Sequence, residues 1–227
     1  MAELSDHALL LRRIPFSDTS LVCHFLTEEH GRITLMARGA RRAKSPFRGA
    51  LEPLYSLNIR WRPGRTGMGT LVDIERGVRM VNETQDLDGL ELCAVASALF
   101  QDGDPHGYAE LSESLAAMHD RPAESSLYSG LWRLLELSGW VSGFDHCWVC
   151  STEIDASLSM SWHDGHLTCS SCGNGITISA GMRKGIAAHL KQSNVRLGQS
   201  DLSSWRRMIQ DLLSQHGVRS LTSTSQE

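Results

Sequence analysis

The stretch Ser20-Leu21-Val22-Cys23-His24-Phe25-Leu26-Thr27, Glu28-Glu29-His30-Gly31, Arg32-Ile33-Thr34-Leu35-Met36-Ala37-Arg38 decides the fold of the first third of the chain. Two runs of β-branched and aromatic residues alternate with polar ones and flank a short polar segment ending in glycine. That pattern predicts a hairpin. Upstream, residues 7–13 (HALLLRR) read as a strand running into a turn at Ile14-Pro15. Downstream, residues 54–62 (LYSLNIRWR) alternate again, residues 63–69 (PGRTGMG) form a glycine-rich loop, and residues 70–78 (TLVDIERGV) give a fifth strand. Five short strands, with a longer connection after the third, suit a small closed barrel of the OB type. A small open sheet fits the same pattern, and periodicity alone does not separate the two.

After residue 82 the period changes. Apolar residues recur three and four apart at Leu92, Val95, Ala96 and Leu99, then at Leu111, Leu115 and Met118. Helices are expected over 87–101, 107–118, 123–138, 180–192 and 201–215. Pro122 opens the third, and Gly139 and Gly143 close it. The tail from residue 220 is polar. The expected architecture is α+β. It comprises an N-terminal five-stranded OB-type β-barrel at 1–80 and a helical domain at 81–227, with a zinc-binding knuckle inserted at about 144–175.

Cys147-Trp148-Val149-Cys150 and Cys169-Ser170-Ser171-Cys172 carry that knuckle. Two C-x-x-C pairs at this separation are spaced for four-thiolate zinc binding. Each pair aims two sulfurs at one ion, and four thiolates leave no open position for a catalytic water. One structural Zn2+ on Cys147, Cys150, Cys169 and Cys172 is therefore expected. A dithiol–disulfide pair is the rival reading. Gly173 and Gly175 are read as supplying positive φ to the turn. Cys23 and Cys93 lie in apolar runs, where buried free thiols are the default.

Charge is distributed unevenly along the 227 residues, whose formal net is -4. Residues 1–80 hold 13 basic and 8 acidic residues, and residues 81–227 hold 9 and 18. Between residues 32 and 65 there are nine basic residues, eight of them arginine, against Glu52 alone. Arginine presents a planar fork suited to phosphate oxygens. The candidate nucleic-acid-binding residues are Arg38, Arg41, Arg42, Lys44 and Arg48, with Arg60, Arg62 and Arg65 extending the track. Phe47 and Trp61 lie among them, either as base-stacking platforms or as core residues.

The sequence has no P-loop, no H-E-x-x-H, no G-x-S-x-G and no deaminase zinc pattern. It reads as a binding protein and not an enzyme. Neither a membrane-spanning run nor a signal peptide is seen, so a cytoplasmic location is expected.

Gly31-Arg32, Ala37-Arg38-Gly39-Ala40-Arg41, Lys44-Ser45, Phe47 and Gly49-Ala50-Leu51-Glu52-Pro53 resemble the RecO family of DNA repair proteins. Phe16-Ser17-Asp18-Thr19-Ser20 and Thr27 resemble that family's first hairpin, and Gly139, Phe144, Cys147 and Cys150 its approach to the zinc knuckle. The resemblance implies an OB fold, a helical domain and a zinc element. It implies a recombination mediator of the RecF pathway that binds single- and double-stranded DNA and anneals complementary strands. The implied partners are RecR, often RecF, and the acidic C-terminal tail of single-strand-binding protein, with RecA loaded onto the DNA that protein covers. Family members often end in a basic stretch, whereas this chain reads Arg219-Ser220-Leu221-Thr222-Ser223. Two other readings remain: an RNA-binding OB protein, and a zinc-knuckle scaffold whose basic face meets an acidic protein.

Overall fold

The structure is a computed structural model, described here for residues 2–65, 67–120, 124–141, 143–163, 165–173, 175–191 and 195–218. The expected helix start at Pro122 and the tail from Arg219 lie outside these residues. Two compact units divide the chain, residues 1–122 and 123–227.

Five strands open the first unit: β1 (Leu4–Phe16), β2 (Ser20–Thr27), β3 (Gly31–Ala37), β4 (Tyr55–Arg62) and β5 (Gly69–Arg79). They close into a barrel in the order β1-β2-β3-β5-β4. The closed barrel, not the open sheet, is therefore the fold. Strand β1 makes closure possible by serving two partners. Leu4 to Ala8 pair with β4, and Ala8 to Phe16 pair with β2. A bulge at Leu11, where the register shifts between Leu10 and Arg12, bends the strand between them. The strand does not stop at Ile14-Pro15, since Pro15 pairs with Leu21 near the hairpin end. Strands β3 and β5 run parallel and meet only at Leu35↔Gly69 and Met36↔Thr70.

Alternation decides which side chains fill the barrel. On β4, Leu57, Ile59 and Trp61 point in, while Asn58, Arg60 and Arg62 point out. Ala8, Leu10, Cys23, Phe25, Leu35 and Leu71 complete the interior from the other strands. Ala40, Phe47 and Leu51 of the β3–β4 connection pack into the same core. The helices α1 (Asp86–Leu99) and α2 (Tyr108–Asp120) belong to this unit and contact β1. The barrel thus ends near residue 79, but its compact unit continues through α2.

The second unit holds α3 (Glu124–Leu137), α4 (Ala180–Leu190) and α5 (Gln199–Gln215). A three-stranded sheet lies between α3 and α4: β6 (Met160–His163), β7 (His166–Thr168) and β8 (Ile176–Ile178), in the order β7-β6-β8. These strands have three or four residues each, too short for a periodic signal in sequence. Trp132 of α3 sits at the centre of the core. Its ring lies 5.1 Å from Phe144, 5.6 Å from Trp162 and 6.3 Å from Trp205. Aromatic groups at these separations add to the apolar burial of helix against sheet. Among the described residues no helix is long and apolar enough to cross a membrane.

Candidate nucleic-acid interface and metal centre

The β3–β4 connection leaves the barrel after Ala37 as a series of turns and carries the densest basic sequence. Its apolar residues anchor it, and its charged residues face water. Phe47 is 9% exposed and Trp61 3%, so both are core residues and neither is a stacking platform. Trp61 meets the ring of His30 edge-on at 5.0 Å. Arg38, Arg41, Arg42, Lys44 and Arg48 are all exposed. Arg41 Nη1 donates to Ser17 O at 2.8 Å, and Arg48 Nη1 to Ala43 O at 3.4 Å. None of the five forms an ion pair with a carboxylate among the described residues.

Arg38 and Arg42 line one concavity together with Phe16, Thr19 and Met36. Arg41 is joined to the neighbouring β1–β2 turn, whose Thr19 O accepts from its backbone N–H at 2.9 Å. The structure therefore brings Arg38, Arg41 and Arg42 to one end of the barrel. Lys44 and Arg48 follow on the same connection.

Arg60 and Arg62 are different. They project from the outer face of β4, and acids cover them. Arg60 lies 3.3 Å from Glu3 Oε2 and 3.1 Å from Asp73 Oδ2. Arg62 donates to Glu3 Oε1 through Nε at 3.0 Å and Nη2 at 2.7 Å. Arg65 is exposed on the β4–β5 loop. Arg32 is held internally, donating to Phe100 O at 2.5 Å and lying 3.4 Å from Asp102. Asp102 also accepts from Thr34 Oγ1 at 2.6 Å, which explains it as a tie between the α1–α2 loop and the barrel.

In the second unit, Cys147, Cys150, Cys169 and Cys172 place their sulfurs within 4.8 Å of one another. Cys150 Sγ and Cys169 Sγ are 3.9 Å apart. A tetrahedron with Zn–S bonds of about 2.3 Å has S···S edges of about 3.8 Å, so the donor set fits one such ion. Two tight turns aim the thiols. Ser151 N donates to Cys147 O at 2.8 Å, and Cys172 N to Cys169 O at 3.0 Å. The positive φ falls on Ser151, at 56°, and not on Gly173 or Gly175. Those glycines are needed for close approach instead. A Cβ on Gly173 would stand 1.9 Å from Thr168 Oγ1, and one on Gly175 would stand 1.7 Å from Trp162 O.

The thiols do not titrate independently. Burial opposes ionisation of Cys147, but backbone N–H groups of Cys150, Cys169 and Val149 outweigh it and bring the thiol down to about 6. Cys172 is pushed up to about 12 by hydrogen bonds shared with Cys169 and Cys150. Four sulfurs this close cannot all ionise unless a cation lies among them. Cys23 and Cys93 are buried free thiols, each pushed up to about 12 by burial. His146 pairs with Asp145 at 3.1 Å, and His166 stacks on Trp148 with ring centroids 3.9 Å apart.

Sequence reasoning missed Arg183. From α4 its Nη1 donates to Asp155 O at 3.1 Å and Leu158 O at 2.6 Å, and its Nη2 donates to Phe144 O and Ile154 O. It is 4% exposed. One guanidinium thus pins the irregular segment on either side of the first C-x-x-C pair's hairpin. All four partners are main-chain carbonyls, which no side-chain motif reveals.

An OB-type barrel with a basic connection, followed by a helical unit bearing a four-cysteine cluster, defines the structural class. Residues 1–76 match the family model for the recombination protein O N terminal region, and residues 89–225 match that for its C terminal region. The chain belongs to the RecO family. It is 30% identical over 175 residues to the DNA repair protein RecO of Vibrio atlanticus (strain LGP32), covering 72% of this chain and 69% of that one. It is 33% identical over 149 residues to that of Proteus mirabilis (strain HI4320), covering 63% and 60%. The match to the protein of Actinobacillus pleuropneumoniae serotype 7 (strain AP76) reaches 45% identity over 75 residues but spans only 31% of that relative.

Proposed function

We propose that this chain is a recombination mediator that binds DNA through the phosphate backbone and anneals complementary strands. The observation that carries this reading is the β3–β4 connection, whose five exposed basic side chains form no ion pair with a carboxylate among the described residues. Annealing must overcome repulsion between two polyanions. Neutralising phosphates with arginine and lysine releases counterions and lowers that repulsion. The contacts are to phosphate and carry little sequence preference. Arg38, Arg41, Arg42, Lys44 and Arg48 form the main track, with Arg65 as an extension. Arg60 and Arg62, already neutralised by Glu3 and Asp73, contribute less.

In this reading RecR, and in some settings RecF, act with the chain to load RecA onto DNA covered by single-strand-binding protein, whose acidic tail it contacts. The protein works in the nucleoid and catalyses no covalent chemistry. Cys147, Cys150, Cys169 and Cys172 hold one structural zinc ion, which cross-links the two cysteine hairpins when bound.

The test is fluorescence anisotropy of a labelled single-stranded oligomer across a salt series, followed by addition of its complement. About five phosphate contacts give a slope of log affinity against log salt near -3.5. Arg41→Glu with Arg42→Glu should weaken binding to every sequence alike, by about tenfold or more at moderate salt. Arg60→Glu with Arg62→Glu should change affinity by less. Wild-type affinity in the Arg41/Arg42 variant sinks the assignment. Competition with a matched RNA oligomer distinguishes DNA from RNA.

A further inference from the structure

Phe16 is an aromatic residue left in water where the basic connection begins. It is 53% exposed, at the end of β1, and pairs across the hairpin with Ser20. Of the aromatic residues beside the basic connection, Phe47 and Trp61 are committed to the core, and Phe16 is the one whose ring is open to solvent.

Phe16, Thr19, Met36, Arg38 and Arg42 line a single open cavity of about 490 Å³. That lies within the size range of small-ligand sites. Its lining combines the apolar side chains of Phe16 and Met36 with the cationic ones of Arg38 and Arg42. Three hydrogen bonds fix the β1–β2 turn against the basic connection. Arg41 N donates to Thr19 O at 2.9 Å, Arg41 Nη1 to Ser17 O at 2.8 Å, and Gly39 N to Ser20 Oγ at 3.4 Å. The ring and the two guanidinium groups therefore belong to one pre-formed surface. The β1–β2 loop is also a part of OB barrels that commonly meets oligonucleotides.

We infer that Phe16 is a base-stacking platform, and that the cavity beside it receives one unpaired nucleotide of single-stranded DNA. The base lies on the Phe16 ring and its phosphate on Arg38 and Arg42. This rests on the phosphate-contact reading above and adds a preference to it. A ring that stacks on a base face needs that base unstacked from its neighbours, so the site discriminates single strands from duplex. During annealing the held base is exposed at the barrel end, next to the arginines that neutralise the incoming strand.

The experiment compares two oligomers of equal length and charge, a thymidylate strand and an abasic strand with the same phosphates. Anisotropy is measured on the full chain and on Phe16→Ala, Phe16→Leu and Phe16→Tyr. The wild-type chain should bind the thymidylate strand about 5- to 150-fold more tightly than the abasic one. Phe16→Ala and Phe16→Leu should lose that ratio, Phe16→Tyr should keep it, and all three should keep the wild-type salt slope and duplex affinity. A wild-type ratio near one overturns the inference, as does a ratio retained by Phe16→Leu, which keeps apolar bulk without a π-face. Failure of the phosphate-contact reading looks different: the wild-type chain then binds neither strand, abasic included.

Discussion

A single guanidinium holds the irregular part of the second unit together. Arg183 replaces water for four carbonyls at once, in a segment with little regular backbone pairing of its own. Arg183→Met keeps the unbranched apolar stem but removes every donor. Buried acceptors left without partners make this costly, about 3 kcal/mol or more, and the variant should show a lowered melting temperature by circular dichroism. A second residue-level effect depends on pH. Burial of His24, with Arg32 and Arg12 nearby and Asp102 acting in the opposite direction, lowers its pKa below the ordinary 6.5. The folded state therefore prefers neutral His24, and the unfolded chain takes up the proton first. That contribution is fully present above pH 6.5 and is lost as pH falls below it. Urea midpoints measured from pH 7.5 down to 5.5 should fall for the wild-type chain, and less steeply for His24→Asn. At this scale the cysteines were legible in the sequence, because ligand spacing is local. The ion pairs of Arg60 and Arg62 were not legible, because Glu3, which both meet, lies some 59 residues away from Arg62 in sequence. Phe47 and Trp61 were readable in either sense until burial assigned them to the core.

Elements show a different balance. All five barrel strands were visible in the sequence, β4 most plainly, because its half-buried face forces period two, whereas β1 showed as a short apolar run with Ala8 to Leu11 all buried. The five helices were visible through spacing of three and four. The three short strands around the cysteines were not, since three residues carry no period. The continuation of β1 through Pro15 was hidden too. Proline is tolerated there because the residue lies close to the hairpin end of its strand. The β2–β3 turn makes the sharpest element-level prediction. Gly31 has φ of +63°, and a Cβ there would stand 1.8 Å from Asp104 O. Next to it, Arg32 N donates to Asp104 O at 3.1 Å and Gly103 N donates to Arg32 O at 2.8 Å. The hairpin is thus laced to the α1–α2 loop at the one point where a side chain cannot fit. Gly31→Ala should cost more than about 2 kcal/mol, from positive φ and the clash together, and is checked by denaturant unfolding.

On the scale of the whole molecule, the two compact units change the meaning of the charge count. Divided at residue 80, the chain looks basic and then acidic. Residues 1–122 together hold 14 basic and 17 acidic residues, and residues 81–122 hold 9 of those acids against Arg121 alone. The acidic helices α1 and α2 therefore share a unit with the barrel. Sequence gave no cue to this, because the change of period falls near residue 82 and the boundary between units falls some 40 residues later. Their charge limits where a polyanion can settle on that unit and favours the β3–β4 connection. The four-cysteine cluster lies wholly in the other unit. Removing the ion with a chelator, or substituting Cys147→Ala, should lower the calorimetric transition of residues 123–227 by several degrees and release zinc to a colorimetric indicator. The transition of the barrel unit, and the salt slope of DNA binding, should not move.

The barrel is closed unevenly. Strands β1 and β2 share eight register pairs, whereas β3 and β5 share only Leu35↔Gly69 and Met36↔Thr70. The basic connection departs immediately after Ala37, one residue beyond that short seam. A closed ring of strands opens most cheaply at its shortest join, and local opening follows the weakest cooperative unit. The segment that carries the arginines therefore starts beside the shortest seam of the ring, and Ala40, Phe47 and Leu51 hold it there by packing into the barrel core.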